Sequence, residues 1–306
     1  MKSTTISTER LIAYNPEHSK QQHPIMKQLN SMVKSMAALL FTLAPLMSYG
    51  VWLHSFQPSD QRPVNNLAVI ASAQAEPRLW DEPLVSVTFD DGWESIYSNG
   101  APILEKYGIR STQYILSGEF DDQQYLSKEQ VLSLQKAGHD IQSHTVSHAD
   151  LRTVDDPKLL REVAESKADL TRLTGREVTD FATPLNSHTP HNLEVIKQHY
   201  RSHRNTEVDI NRRGQYDYNH RNNFNIYQIK AFSVERTTTT EQIVKYLEEA
   251  KRLNAWAVLV YHEVDENSPS QYAVTTAQLD AQMKAVKDSG IRTVTMDEVL
   301  DSYERQ

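Results

Sequence analysis

The residues best suited to chemistry are two adjacent carboxylates, Asp90 and Asp91, at the end of an apolar run rich in β-branched residues. The run, Leu84–Phe89, predicts a buried strand, and Gly92 directly after the pair predicts a turn. Neighbouring carboxylates at a strand end repel each other, and a bound metal ion or a shared proton relieves that repulsion. We therefore expect further metal ligands or proton-transfer groups near this strand end.

Histidines follow two other strand-like runs. His144 and His148 lie in the segment S-H-T-V-S-H, and His262 ends the apolar run that begins at Trp256. Two histidines four residues apart converge on one metal if their segment is helical or a tight turn. The alternative for this pair is a solvated or hydrogen-bonded loop. For His262 the alternative is a strand end that is closed by a hydrogen bond to a neighbour.

From residue 84 onwards, the elements that must position these residues alternate between strand-like and helix-like segments. Six to eight βα units over about 225 residues predict parallel strands with covering helices, either as a closed barrel or as a doubly wound sheet. In both architectures the functional residues lie at the carboxyl ends of the strands. The predicted strands are Leu84–Phe89, Ser111–Leu116, Asp140–Ser143, Val178–Ala182, Arg201–Thr206, Tyr227–Val234, Trp256–His262 and Ile291–Thr295. The predicted helices are Glu94–Tyr107, Ser127–Ala137, Asp156–Gly175, Asn192–His199, Thr239–Leu253, Thr276–Ser289 and Met296–Tyr303.

Charge, motifs and cysteine content argue against several kinds of partner and site. Residues 1–75 carry six Lys/Arg and three Asp/Glu, which leaves 26 Lys/Arg and 37 Asp/Glu in residues 76–306. An acidic main domain argues against nucleic acid as a partner. No G-x-G-x-x-G or P-loop follows a predicted strand, which argues against nucleotide binding. The chain has no cysteine, so disulfides and thiolate metal sites are excluded.

The N-terminal part differs from the rest. Residues 1–35 are polar and are predicted to lie in the cytoplasm, while residues 36–53 carry no formal charge and predict a transmembrane or signal-anchor helix. Residues 54–80 have a linker composition, and residues 81–306 form the main domain. A buried helix is one alternative for residues 36–53. A cleaved signal peptide is another, and the protein would then be secreted. With the anchor retained, the main domain lies outside the cytoplasm, either periplasmic or extracellular.

The motifs resemble those of a known family. The segments T-F-D-D-G at 88–92 and S-H-T-V-S-H at 143–148 are similar to the first two motifs of the polysaccharide deacetylases, the NodB-homology domain of carbohydrate esterase family 4. The segment L-V-Y-H at 259–262 resembles the late motif of that family. The resemblance covers roughly residues 82–300 and implies an α/β fold, a deformed (β/α) barrel.

The resemblance also implies roles for these residues. Asp91, His144 and His148 would hold a divalent metal, usually zinc, with cobalt or nickel as alternatives. Asp90 would be the general base and His262 the general acid.

The third motif departs from the family pattern. Where many members have an Arg-x-Pro-Tyr-Gly-like segment, this chain has A-T-P-L-N at 182–186, so Ala182 replaces the arginine that holds the catalytic aspartate. We expect Arg204, at the end of the next strand, to supply the missing cation; a surface arginine is the alternative. Pro184 and Leu185 of this segment, together with Trp93 and Arg204, are the predicted substrate-binding residues. The family's Asp- and Trp-containing fourth motif is not evident in residues 205–235.

These features predict a metal-dependent hydrolase that removes N-acetyl groups from an N-acetylhexosamine-containing polysaccharide of the cell envelope or of an exported polymer. The expected partners are that acetylated amino-sugar polymer or its oligosaccharides, and the membrane through the N-terminal helix. Three alternatives remain: a carbohydrate O-acetyl esterase, a catalytically inactive glycan-binding relative, and a hydrolase for another C–N bond.

Overall fold

The central strands of the sheet are two apolar runs of the main domain. The computed structural model describes residues 79–206 and 217–304. In it, β1 (Leu84–Phe89) is buried along its whole length. The β7 strand (Trp256–Tyr261) lies parallel to it with every residue paired, from Leu84 opposite Trp256 to Phe89 opposite Tyr261. Strands covered on both faces in this way have continuous apolar sequences instead of alternating ones.

Six further strands complete a parallel sheet. They are β2 (Thr112–Ile115), β3 (Asp140–Ser143), β4 (Asp180–Ala182), β5 (Ser202–Arg204), β6 (Phe232–Ser233) and β8 (Arg292–Thr293). The order across the sheet is β5-β4-β3-β2-β1-β7-β6, and β8 pairs with the first two residues of β1. All pairs are parallel. The predicted parallel α/β fold is confirmed.

The sheet curls into a half-barrel whose two edges are joined by a short irregular segment. Ile229 forms a parallel bridge with Arg204 of β5, and three residues later the chain pairs as β6 with β7. The prediction of one strand over Tyr227–Val234 is therefore wrong in extent. Its first half bonds to β5, where Ile229 N–H donates to His203 O (3.1 Å), and only its second half bonds to β7.

Helices cover the outside of this sheet. They are α1 (Ala101–Tyr107), α2 (Lys128–Lys136), α3 (Asp156–Leu160), α4 (Ser166–Thr174), α5 (Pro190–His199), α6 (Thr240–Leu253), α7 (Thr276–Asp288) and α8 (Met296–Glu304). The predicted capping box at the start of α2 is present, with Ser127 and Gln130 bonded reciprocally. The helix predicted over Asp156–Gly175 contains a π-helical turn, Arg161–Glu165, which separates α3 from α4.

The folded domain begins before residue 81. A short 3-10 helix, Leu79–Asp81, places Trp80 in the core, with its ring 5.5 Å from that of Trp256. The last two residues of the predicted linker therefore pack against the barrel. The predicted cytoplasmic segment, anchor helix and the rest of the linker lie outside the described residues. Within residues 79–206 and 217–304, no helix has the length and apolar composition needed to span a bilayer.

Candidate active site

The turn after β1 directs its two aspartates to different places. Asp91 (φ 70°) and Gly92 (φ 79°) are both left-handed, a conformation that glycine adopts freely and aspartate tolerates. A Cβ on Gly92 would lie 3.1 Å from the Ile115 side chain. Asp90 N–H donates to Tyr261 O (2.9 Å), which holds the turn against the end of β7. The side chain of Asp90 is buried, while that of Asp91 reaches the edge of an open cleft.

Asp91 meets both histidines of the second motif. Its Oδ1 lies 3.3 Å from Nε2 of His144 and 3.3 Å from Nε2 of His148. One ligand atom from each of the three residues lies within 4.8 Å of the others. The histidines converge through a loop in which Thr145 (φ 76°) and His148 (φ 57°) are left-handed, so the segment is a tight turn and not a helix.

The arrangement of donor atoms in this cluster fits a divalent metal. Asp91 Oδ1 is buried and accepts no hydrogen bond. Nδ1 of His144 lies 2.9 Å from Ala182 O, so Nδ1 carries the ring proton and the lone pair of Nε2 points towards the cluster. Burial raises the pKa of Asp91, but the two imidazoles in their protonated form lower it by more and hold it well below its usual value. Loss of the imidazole protons would then leave two Nε2 lone pairs beside the carboxylate, as a bound cation requires. An ionised oxygen beside two imidazole nitrogens is a typical zinc-type ligand set.

Trp93 supports this cluster. Its indole N–H donates to Asp91 Oδ2 (2.9 Å), which leaves Oδ1 as the free ligand atom. Its ring stacks on that of Tyr125 at 4.7 Å. Trp93 also lines the cleft, so its predicted contact with substrate stays a prediction, and its bond to Asp91 is a role that the sequence did not predict.

Glu162 is a second residue that the sequence reasoning missed. It lies on the π-helical turn, only 4% exposed, and its Oε2 accepts the backbone N–H groups of Val146 (3.0 Å) and Ser147 (2.9 Å). Oε1 accepts the Ser147 hydroxyl (2.7 Å). One buried carboxylate thus fixes the loop between the two histidines. Nothing in the local sequence distinguishes Glu162 from the solvated glutamates around it.

Asp90 is held by Arg204. One guanidinium nitrogen, Nη2, lies 2.6 Å from both carboxylate oxygens, and both side chains are almost fully buried. The guanidinium also lies over the Tyr114 ring, 4.7 Å from its centroid. The prediction that Arg204 supplies the missing cation is confirmed. Its predicted contact with substrate stays a prediction: Arg204 is only 1% exposed and is not among the described residues that line the cleft.

The strand register explains why Arg204 can take the place of the family's arginine. Ala182 at the end of β4 pairs directly with Arg204 at the end of β5. Paired residues of parallel strands direct their side chains to the same face of the sheet, so an arginine at either position can extend towards Asp90. Ala182 is small and fully buried, and its carbonyl oxygen is the acceptor for His144.

The segment after β4 forms one wall of the cleft. Leu185 (φ 58°) and Asn186 (φ 53°) are consecutive left-handed residues, and Leu185 is 65% exposed. Asn186 fastens this segment to the loop after β5: its Oδ1 accepts Thr206 N–H (2.6 Å) and its amide donates to the Thr206 hydroxyl. Leu185 lines the cleft as predicted for a substrate-binding residue. Pro184 does not, because it is buried behind its neighbours.

His262 lies on the other side of the cleft, one residue after β7. Its ring is 5.0 Å from that of Tyr272, and its Nδ1 is buried without a hydrogen-bond partner in the described part of the chain. Burial lowers the pKa of His262, against the opposing effect of Asp90 and Asp91. No carboxylate of the described residues bonds to this nitrogen, in agreement with the fourth motif not being evident in the sequence.

All five predicted chemical residues therefore line one open cleft of about 530 Å³ at the carboxyl ends of the strands: Asp90, Asp91, His144, His148 and His262. This is the region of a parallel α/β fold where ligands bind.

Comparison with known proteins supports the assignment of the fold and the motifs. Residues 80–201 match the family model of the polysaccharide deacetylases. This matched part of the chain is similar to the polysaccharide deacetylase family. The matched region includes the metal-ligand candidates and Asp90 but ends before Arg204 and His262.

Three relatives with deacetylase names each match about a third of the chain. YxkH of Bacillus subtilis (strain 168), whose name places it among polysaccharide deacetylases, is 28% identical over 117 residues, which are 38% of this chain and 42% of YxkH. A chitin deacetylase of a Pestalotiopsis species is 31% identical over 99 residues, 32% of this chain and 33% of that protein. A poly-β-1,6-N-acetyl-D-glucosamine N-deacetylase of Staphylococcus aureus (strain MSSA476) is 26% identical over 128 residues, 37% of this chain and 44% of that protein. The matched regions span less than half of each relative.

Solved structures share the fold over most of the described domain. The CE4 domain of a multidomain xylanase from the hindgut metagenome of Trinervitermes trinervoides has a TM-score of 0.51 at 19% identity, over 73% of this chain and 92% of that one. A family 4 acetyl xylan esterase of Clostridium thermocellum has a TM-score of 0.50 at 18% identity, over 71% of this chain and 90% of that one. These likenesses concern the fold alone.

Proposed function

We propose that this chain is a metal-dependent hydrolase that removes N-acetyl groups from an N-acetylhexosamine-containing polysaccharide. The observation that carries the proposal is that the two aspartates at the end of β1 have different partners. Asp91 joins two histidines in a metal-ligand cluster, while Asp90 next to it is kept out of that cluster by Arg204. A base that is held beside a metal site, but is not used as a ligand, is what hydrolysis by an activated water requires.

Asp91, His144 and His148 would hold the metal. A divalent cation there would polarise the acetyl carbonyl and lower the pKa of a water molecule beside it. Three protein ligands leave coordination positions for both groups. The relatives named as chitin and poly-N-acetylglucosamine deacetylases favour an acetylated amino sugar as the substrate.

Asp90 is the general base in this proposal. It accepts a proton from the water as the new C–O bond forms, and Arg204 keeps its carboxylate in one orientation. The backbone N–H of Leu185 is the proposed donor to the carbonyl oxygen as that oxygen becomes negative. His262 then donates a proton to the nitrogen as the C–N bond breaks, which yields acetate and a free amine.

O-acetyl ester hydrolysis is the second candidate, and one observation favours it. His262 has no carboxylate to orient its ring among the described residues, and an alkoxide leaves more readily than an amide nitrogen without prior protonation. Rates on N-acetylated and O-acetylated oligosaccharides of equal length distinguish the two activities. Under the main proposal the N-acetyl rate is the larger one.

The experiment that tests the proposal measures acetate release from N-acetylglucosamine oligomers by the full chain, before and after chelation and after addition of zinc, cobalt or nickel. We expect chelation to abolish release and at least one metal to restore it. Asp90→Asn should bind metal and release no acetate, whereas Asp156→Asn, a change at an exposed carboxylate outside the cleft, should behave like the parent. Absence of release under every metal refutes the proposal.

We also propose that the domain acts outside the cytoplasm, anchored by the uncharged segment 36–53. Cell fractionation, followed by protease treatment of intact cells and of opened cells, tests this location. Protease cleavage of the domain only after the cytoplasmic membrane is disrupted would refute this location.

A further inference from the structure

One carboxylate in the cleft has no part in the chemistry described above. Glu235 lines the cleft together with His262, Ser270 and Tyr272. Its carboxylate forms no hydrogen bond and no ion pair with any residue in 79–206 or 217–304. Charged groups in a cleft are usually paired, so an unpaired carboxylate at this position suggests a partner that arrives with the ligand.

The backbone holds Glu235 in place beside the reacting centre. Ser233 of β6 pairs with Val260 of β7, and that register continued by two residues sets Glu235 next to His262. Glu235 N–H donates to the Thr238 hydroxyl (2.9 Å), and its carbonyl accepts from the Gln278 amide (3.1 Å). The position of the residue is therefore fixed without any use of its carboxylate.

Two arginines of the described residues in or beside this part of the fold have other partners. Arg204 binds Asp90. Arg236, the next residue in the chain, directs its guanidinium to the carbonyl oxygens of Ser268 (2.7 Å) and Asp265 (3.3 Å). No lysine or arginine is among the cleft-lining residues that the structure describes. Among the described residues, no cation therefore compensates the charge that Glu235 contributes to the cleft lining.

An aromatic residue, Tyr272, lines the same cleft as Glu235. Arg236 N–H donates to Gln271 O (2.8 Å), which places Glu235 and Tyr272 on neighbouring segments. Tyr272 is 40% exposed and lines the same cleft. An exposed aromatic face packs on the apolar face of a sugar ring and also attracts a cation.

We infer that Glu235 and Tyr272 form a subsite for a hexosamine whose amine is free and protonated, next to the acetylated sugar at the reacting centre. The inference rests on the proposed function, because deacetylation produces such an amine on the same polymer. The enzyme then prefers partly deacetylated polymer to fully acetylated polymer. Each sugar that has been deacetylated improves binding of the neighbouring stretch of the polysaccharide.

The test has a binding arm and a kinetic arm. In the binding arm, titration calorimetry measures the affinity of the full chain for fully deacetylated glucosamine oligomers, which cannot be turned over. Glu235→Gln is expected to weaken this affinity about three- to tenfold, the range of one partly exposed ionic contact, and added salt should weaken the parent's affinity in the same way. In the kinetic arm, the parent's KM should be lower for partly deacetylated oligomers than for fully acetylated ones. In Glu235→Gln the two KM values should become equal.

A matched control is Glu241→Gln, a change at an exposed glutamate in the first turn of α6, and it should keep the affinity and the KM ratio of the parent. Equal affinities of parent and Glu235→Gln for glucosamine oligomers overturn the inference. So does a loss of kcat on both substrates with an unchanged KM ratio, which would mean that Glu235 positions His262. Failure of the parent to release acetate from any oligomer refutes the proposed function instead. The binding arm needs no turnover, so it tests the amine subsite separately from the activity.

Discussion

Replacement of Arg204 by methionine tests how the base is held. The substitution keeps much of the side-chain volume but removes the charge, and it leaves the carboxylate of Asp90 buried without a partner. The two side chains are 1% and 4% exposed, so water cannot take over the role of the guanidinium. Breaking a buried ion pair from one side costs about 3–5 kcal/mol of folding free energy. Since a positioned general base contributes about 10²- to 10⁴-fold to rate, we expect kcat to fall within that range.

The assay combines denaturant unfolding with acetate release at saturating substrate. Arg292→Met is the matched control, because Arg292 is 55% exposed and its contact with Glu82 is 3.4 Å long, so its loss should change stability by less than about 1 kcal/mol. The double variant Asp90→Asn/Arg204→Met should recover part of the lost stability, because no unpaired charge remains in the core, but no activity. An Arg204→Met enzyme with the kcat of the parent, or with no more destabilisation than Arg292→Met, would refute the reasoning.

Three further predictions concern Trp93, Asn186 and His139. Trp93→Phe keeps the stacked ring but removes the N–H bond to Asp91, so metal affinity should fall about 10- to 100-fold in a competition titration with a chelator; an unchanged affinity would contradict this support role. Asn186→Gly suits the left-handed backbone but loses both bonds to Thr206, and denaturant unfolding should show a loss of about 1–2 kcal/mol. Burial lowers the pKa of His139 from its ordinary 6.5 to about 4. Between these two pH values the imidazole is protonated in the unfolded chain but not in the folded one. The free energy of unfolding should therefore fall by about 3 kcal/mol as the pH drops from 6.5 to 4. His139→Asn should remove that part of the pH dependence, and identical unfolding curves for parent and variant across this range would exclude it.

Local sequence patterns were enough to predict the central strands, helix starts such as that of α2, and the five chemical residues of the cleft. The apolar runs at β1 and β7 are long enough to be recognised locally, and helix starts such as Ser127 depend on bonds between residues three positions apart. The motif residues follow strand ends, so the parallel topology alone gathers them at one edge of the sheet.

The groups that hold these residues depend on long-range packing, which local patterns do not show. Arg204 and Asp90 are 114 positions apart, and their ion pair depends on the register of β5 against β4 and on the curl of the sheet. Glu162 reaches the histidine loop from a π-helical turn that the sequence pattern did not predict. Local propensity carries no information about such contacts, because they are set by where separate elements pack. The sequence therefore predicted the chemical groups at the end of β1, and the packing of β5 against β4 determined how the base among them is held.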